Sequence, residues 1–172
     1  RITIDLGGGE KKQKENWITI DRNLECDIYC DLKEGIPFPD ESISMIYSSH
    51  FFEHLTYREG QSMLEECIRV LKTNALFSIC VPNARIYIEG YLKKKSMNDY
   101  YKWAPAYNMT TNIDKINYMA YMDGEHKYMF DEENLLYILE QKGFRNVRLR
   151  NFDEDIDKTE RHFESIYAQA IK

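Results

Sequence analysis

Three residues in the stretch SSHFFEHL, residues 48–55, carry an obvious chemical possibility. His50, Glu53 and His54 spell H-x-x-E-H. On a helix, that spacing sets two imidazoles one turn apart beside a carboxylate, the ligand and base set of a zinc peptidase. A second set lies upstream. Gly7, Gly8 and Gly9 follow the apolar run of residues 2–6, which contains Asp5. Glycines remove Cβ bulk and accept positive φ, so backbone can approach a ligand closely there. Asp21 and Asp31 each end a short apolar run. A carboxylate at a strand end can take both hydroxyls of a ribose, and the pair Asp31-Leu32 joins an acceptor to an apolar surface suited to an adenine edge. His50 and His126 are the histidines placed to take a proton near neutral pH.

The elements around these residues decide between the two chemistries. IDLGGG, NWITID, CDIYCD, SISMIYSS, ALFSICVPN, NVRLRNF and ESIYAQAIK read as seven short strands. Strands of this kind separated by turns and helices imply an α/β sheet, mostly parallel. Thr56-x-x-Glu59 is a capping box, and Met63, Leu64, Cys67, Ile68 and Leu71 recur behind it at helical spacing. Asp131 caps a second helix carrying Leu135, Leu136, Ile138 and Leu139, with Gly143 as its stop. The segment before His50 therefore reads as a strand, and a helix cap follows His54. No single helix holds both histidines, so zinc is not expected. Glu53 and His54 are read as a junction that satisfies buried backbone groups.

At 172 residues the chain has the length of one domain. Its net charge of −6 argues against nucleic acid, whose phosphates need Lys and Arg. No apolar run approaches the roughly 20 residues of a membrane helix. Cys26, Cys30, Cys67 and Cys80 show no C-x-x-C pattern and read as reduced thiols in a cytoplasmic protein. Residues 93–124 read as an irregular or partly helical insertion, placed as a lid over the strand ends. Lys93, Lys94, Lys95, Lys102, Lys115 and Lys127 lie in and beside it, with Tyr100, Tyr101, Trp103, Tyr107, Tyr118 and Tyr121. Such a surface suits an anionic small molecule between aromatic walls; a solvated lysine face explains the same residues.

The glycine loop fits NAD poorly, because Glu10, Lys11 and Lys12 replace the rest of G-x-G-x-x-G and little room is left for a helix before Trp17. A cofactor without a pyrophosphate suits it better. Asp5-Leu6-Gly7-Gly8-Gly9, Asp21, Asp31-Leu32, IPFPDESISMIYSSHFFEHL, RVLK, SICVPN and HKYMFDEENLLYILEQKGF together resemble the class I S-adenosylmethionine-dependent methyltransferases, closest to the compact bacterial type 11 branch. The chain departs from that pattern at Lys11, in its shortened first helix, and at Thr73-Asn74-Ala75, where Pro-Gly-Gly is usual.

The resemblance implies a Rossmann-like seven-stranded sheet, mostly parallel with an antiparallel last strand and with few helices near the N-terminus. It implies S-adenosyl-L-methionine as cofactor and S-adenosyl-L-homocysteine as product. Gly7, Gly8 and Gly9, with Asp5, would lie under the methionine end. Asp21 and its neighbour Arg22 would border the ribose, and Asp31 and Leu32 the adenine. Ser48, Ser49 and His50 would line the end of the fourth strand near the sulfonium. The expected reaction is O- or N-methylation of a small-molecule acceptor. Relatives of this kind decorate bacterial surface polysaccharides, including capsular phosphoramidate. The other reading of the same residues is an inactive methyltransferase-fold binding protein.

Overall fold

The computed structural model describes residues 1–9, 13–95 and 110–172. Seven strands form one sheet: β1 (Thr3–Leu6), β2 (Ile18–Asp21), β3 (Ile28–Tyr29), β4 (Ile43–Ser49), β5 (Leu71–Pro82), β6 (Arg145–Leu149) and β7 (Ser165–Ile171). Their order is β3-β2-β1-β4-β5-β7-β6. The first five pair in parallel, and β7 runs antiparallel to both β5 and β6. This is the expected mostly parallel sheet with an antiparallel last strand. Ile4, Leu6, Ile46 and Phe77 are fully buried, as the near-continuous apolar runs of a covered parallel sheet require.

Two helices start where the sequence places their caps. In α1 (Tyr57–Val70), the Thr56 hydroxyl accepts from the Glu59 amide at 3.3 Å, and the Thr56 amide donates to the Glu59 carboxylate at 2.8 Å. Two otherwise orphaned donors are thereby satisfied, and Met63, Leu64, Cys67 and Val70 are buried. Leu71, expected on this helix, instead opens β5. Two further helices are α2 (Ala84–Leu92) and α3 (Asp114–Tyr121), which pack on each other through Ala84, Tyr87, Tyr118 and Met119. In α4 (Glu132–Gln141), the Asp131 carboxylate accepts from the Asn134 amide at 2.8 Å, and Gly143 at φ 99° follows the last turn. Of the expected insertion, residues 96–109 lie outside the described residues, with Lys102, Tyr100, Tyr101, Trp103 and Tyr107 among them.

The chain before β4 carries no α-helix among the described residues, only a 3-10 turn over Leu32–Glu34. A different device covers that part of the sheet. Trp17 packs on Tyr47 at 5.3 Å between ring centroids. The buried Tyr47 hydroxyl donates to Asp157 Oδ1 at 2.9 Å, and Arg150 Nη2 donates to the same oxygen at 2.7 Å. The loop between β6 and β7 is thus pinned to β4. Tyr47→Phe removes one bond to a charged acceptor while leaving the ion pair intact. It should lower the unfolding free energy by about 1–2 kcal/mol, read as a lower urea midpoint at unchanged slope; an unchanged midpoint would contradict the pinning role.

Candidate active site

The carboxyl ends of the parallel strands open into a cleft of about 490 Å³. Gly7 after β1, Asp21 and Arg22 at the end of β2, Asp31 and Leu32 after β3, and His50 after β4 all line it. Residues from one strand end after another converge because the first four strands run in one direction. Gly7 takes φ 70°, and its amide donates to Ile20 O at 3.0 Å. A Cβ at Gly7 would lie 2.6 Å from Phe51 Cβ, so the loop passes this side chain at glycine distance. Gly9, at φ 64°, donates its amide to Asp21 Oδ2 at 3.1 Å, and the Asn23 amide donates to Asp21 Oδ1 at 2.9 Å. Two backbone amides thus aim the Asp21 carboxylate while leaving it lone pairs for a ligand. Asp31 Oδ1 accepts from the Lys33 amide at 3.1 Å, and its Oδ2 sits 3.7 Å from Arg22.

Asp5 lies beneath the loop. It is 1% exposed, and neither carboxylate oxygen has a hydrogen-bond partner among the described residues. A Cβ at Gly8 would come 2.8 Å from Asp5 Oδ2. Burial pushes Asp5 up to about 7; Lys158 and Arg161 pull the other way, and Asp21 adds to the rise. An orphaned carboxylate under a glycine loop suits a cationic partner, and the ammonium of a methionine group has the right charge. Together with the Asp21 carboxylate and the Asp31-Leu32 pair, this donor set fits S-adenosylmethionine.

Ser48 and Ser49 line neither hollow of the site. Ser48 is fully buried and donates to Leu6 O at 3.2 Å, which ties β4 to β1. Ser49 is 7% exposed. The serines support the turn at His50 and do not form a cleft wall. His50 itself takes φ 52°, a left-handed conformation that costs a non-glycine residue roughly 1 kcal/mol or more. Its amide donates to Cys80 O at 2.9 Å, and its Nε2 lies 2.8 Å from Ser165 Oγ. Ser165 uses its own proton on Arg161 O at 2.7 Å, so His50 Nε2 is the donor and Nδ1 carries the lone pair. Burial, reinforced by Arg161, His126, His54 and Lys158, holds His50 neutral well below the usual imidazole range.

A second hollow of about 160 Å³ adjoins the first, and His50 and His54 line both. Glu53, Tyr118, His126 and Arg161 complete most of its wall. Glu53 sits in a 3-10 turn over Phe52–His54. Its carbonyl accepts from the Lys127 amide at 2.8 Å, which binds the chain leaving α3 to the end of β4. Its side chain is 2% exposed, Oε2 has no partner among the described residues, and burial pushes the group up to about 8. Oε1 lies 3.7 Å from both His50 Nδ1 and His54 Nε2. His126 Nδ1 lies 2.8 Å from Met119 O, and His54 Nδ1 lies 2.9 Å from Glu125 O. A carbonyl only accepts, so each ring is protonated on Nδ1, and Nε2 is the atom left for another partner. Burial lowers His126 below the ordinary imidazole value.

At this junction His54 satisfies a backbone carbonyl, and the Glu53 side chain meets its own backbone amide while Oε2 has no partner among the described residues. No helix presents His50 and His54, as the strand and the cap foretold. Sequence reasoning also missed Arg161 and Glu164, which reach the hollow from just before β7. Of the described lysines in and beside the insertion, Lys127 borders the larger cleft, whereas Lys115 is buried and hydrogen-bonded to Asn112. The insertion reaches the small hollow through Tyr118, Met119 and Met122 instead.

A sheet of this order, with a glycine turn after β1 and an acid closing β2, is the architecture of the Rossmann-like class I methyltransferases. Residues 4–79 match the family described as a methyltransferase domain. An S-adenosylmethionine-dependent methyltransferase from Archaeoglobus fulgidus superposes with a TM-score of 0.62 at 19% identity, over 100% of this chain and 86% of that one. One from Aquifex aeolicus gives 0.59 at 17%, over 99% and 81%. The Burkholderia thailandensis 1,6-didemethyltoxoflavin-N1-methyltransferase, solved with 1,6-didemethyltoxoflavin and S-adenosylhomocysteine, gives 0.59 at 12%, over 99% and 70%. No curated protein matches the chain. The family match thus covers residues 4–79 of the 172, and the solved structures share the fold over nearly the whole chain. No helix among the described residues is long and apolar enough to cross a membrane.

Proposed function

We propose that the enzyme methylates an oxygen or nitrogen of a small anionic acceptor seated in the hollow between His50, His126 and Arg161. The observation that carries this reading is the meeting of two hollows at His50 and His54. One has the donor set for the cofactor. The other opens on the same strand end and is walled by α3. In this reading Asp21 takes the ribose hydroxyls, with Arg22 beside it. Asp31 and Leu32 border the adenine, and Asp5 faces the methionine ammonium beneath Gly7, Gly8 and Gly9.

S-adenosylmethionine supplies a methyl group already activated by its sulfonium. The protein's main work is then to hold the two reactants in line, which can be worth many powers of ten in rate. Arg161 supports an anionic acceptor, because no hydrogen bond or ion pair of its guanidinium occupies it among the described residues. A phosphorylated or sugar-linked acceptor, of the kind used in surface polysaccharide and capsular phosphoramidate assembly, has the matching charge. Proton removal falls to the Glu53, His54 and His126 group, whose imidazoles present Nε2 lone pairs. His50 is the poorer base, being held neutral far below the usual range, and it positions the strand end.

Titration calorimetry with S-adenosylhomocysteine tests the cofactor half. Binding is expected, and Asp21→Ala should weaken it by about tenfold or more, through lost hydrogen bonds to a charged group. No binding at millimolar ligand would overturn the reading. Transfer of labelled methyl groups to fractionated phosphorylated and sugar-linked metabolites tests the other half. Arg161→Gln should raise KM for an anionic acceptor about tenfold with a smaller change in kcat. Cofactor binding without transfer to any fraction would favour a non-catalytic binding protein.

A further inference from the structure

We propose that Glu53, His54 and His126 form a divalent-cation site on the acceptor side of the cleft, with one carboxylate oxygen and two imidazole Nε2 atoms as ligands. Each residue offers a ligand atom, and the three atoms lie within 4.8 Å of one another. Two histidines and one carboxylate are a ligand set used for divalent transition metals. A shared ion at about 2.0–2.2 Å draws such atoms to roughly 3–3.5 Å apart. Side-chain movements of about 1 Å would close the set.

Three independent features point the same way. Both imidazoles give their Nδ1 proton to a backbone carbonyl, His126 to Met119 and His54 to Glu125. That pattern fixes the tautomer and ring plane of metal-bound histidines and leaves Nε2 for the ion. The Glu53 carboxyl is 2% exposed with Oε2 unpartnered, and its Oε1 contacts at 3.7 Å are too long for hydrogen bonds. A buried carboxylate oxygen without a partner is costly, and a cation removes the cost. The ligands also come from two segments already fastened together, since the Glu53 carbonyl accepts from the Lys127 amide next to His126. Arg161 opposes a cation here, whereas Glu53 and Glu164 on the same wall favour one.

His54 is partly exposed and the set faces the hollow, so coordination positions stay open for the acceptor. The use of the ion rests on the methyl-transfer reading, although the site itself does not. An acceptor hydroxyl bound there would release its proton to solvent near neutral pH, as metal-bound water does. Its oxygen would form the new O–C bond as the C–S bond of the sulfonium breaks, leaving a neutral thioether. The ion would thus replace His126 as the means of deprotonation.

The test is Co2+ titration of the full chain after dialysis against EDTA, read by its visible ligand-field bands, with Zn2+ as competitor. One equivalent per chain is expected. His54→Gln, His126→Ala and Glu53→Gln should each weaken Co2+ binding about tenfold or more, while His162→Ala should not. The absence of stoichiometric Co2+ and Zn2+ binding, or affinity retained in both histidine variants, would overturn the site. If circular dichroism shows those variants unfolded, the 1H–15N imidazole spectrum of the wild type decides. Zn2+ must then shift the Nε2 signals of His54 and His126, and unshifted signals overturn the site equally. S-adenosylhomocysteine binding measured alongside keeps the questions apart: its loss with Co2+ binding intact would count against the methyl-transfer reading alone.

Discussion

Gly7→Ala should lower the unfolding free energy by about 2–5 kcal/mol and S-adenosylhomocysteine affinity by about 100-fold or more. Two costs combine. The backbone at φ 70° disfavours any side chain, by about 1–2 kcal/mol. The new methyl would also lie 2.6 Å from Cβ, Cγ and Cδ2 of Phe51. Cβ cannot swing away like the end of a flexible side chain, so either the turn after β4 or the glycine loop must move. Both line the larger cleft, and a displacement of either would reach a ligand seated there. Phe51→Gly in the same chain, which removes Cβ as well as the ring, should relieve the contact but not the backbone cost. A double-mutant cycle measured by urea unfolding should therefore show coupling of about 1–3 kcal/mol. Additive losses would mean that the loop does not depend on this close approach.

The same loop shows what the sequence makes legible. Gly7, Asp21 and Asp31-Leu32 are local signals, because each follows an apolar run and β-strand sense places all of them at one sheet edge. The capping box at Thr56 and the cap at Asp131 are local too, since each depends on residues three positions apart. Ser48 misleads for a local reason: the alternation of a strand end does not tell whether a serine faces a cleft or its neighbour strand. The acceptor side was hidden because it is built by tertiary contacts. His126 meets Glu53 only because the chain leaving α3 pairs with the end of β4. Arg161 and Glu164 carry no motif. Their place follows from the direction of β7, whose antiparallel register sets Ser165 beside Pro82. An antiparallel last strand necessarily begins where its parallel neighbours end, so the residues before it become candidates for the site. That inference was available once the sense of β7 was expected, and it needed topology in addition to spacing.

Asp5→Asn should make the protein more stable at pH 8 while weakening its hold on the cofactor. Burial raises Asp5 from 3.8 to about 7, against the pull of Lys158 and Arg161 and with the push of Asp21. Between about pH 4 and pH 7 the folded state therefore keeps a proton that the unfolded chain releases. Stability falls as pH rises through that window, and the full penalty is present above it. At 1.36 kcal/mol per pH unit the penalty is roughly 4 kcal/mol. Asparagine cannot ionise, so the variant should gain about 2–4 kcal/mol over the wild type at pH 8 and almost nothing at pH 4.5. Urea unfolding at the two pH values measures the difference, and equal gains at both would refute a titrating Asp5.

The retained penalty makes sense if a ligand removes it. An ammonium group set against both orphaned oxygens would restore the ionised form. Cofactor binding near pH 6 should then release close to one proton, seen as a binding enthalpy that depends on the ionisation enthalpy of the buffer. Asp5→Asn should abolish that dependence and weaken S-adenosylhomocysteine by about 10- to 100-fold. A wild type that binds without releasing a proton would show that Asp5 stays neutral in the complex, and the ammonium would have to be held elsewhere.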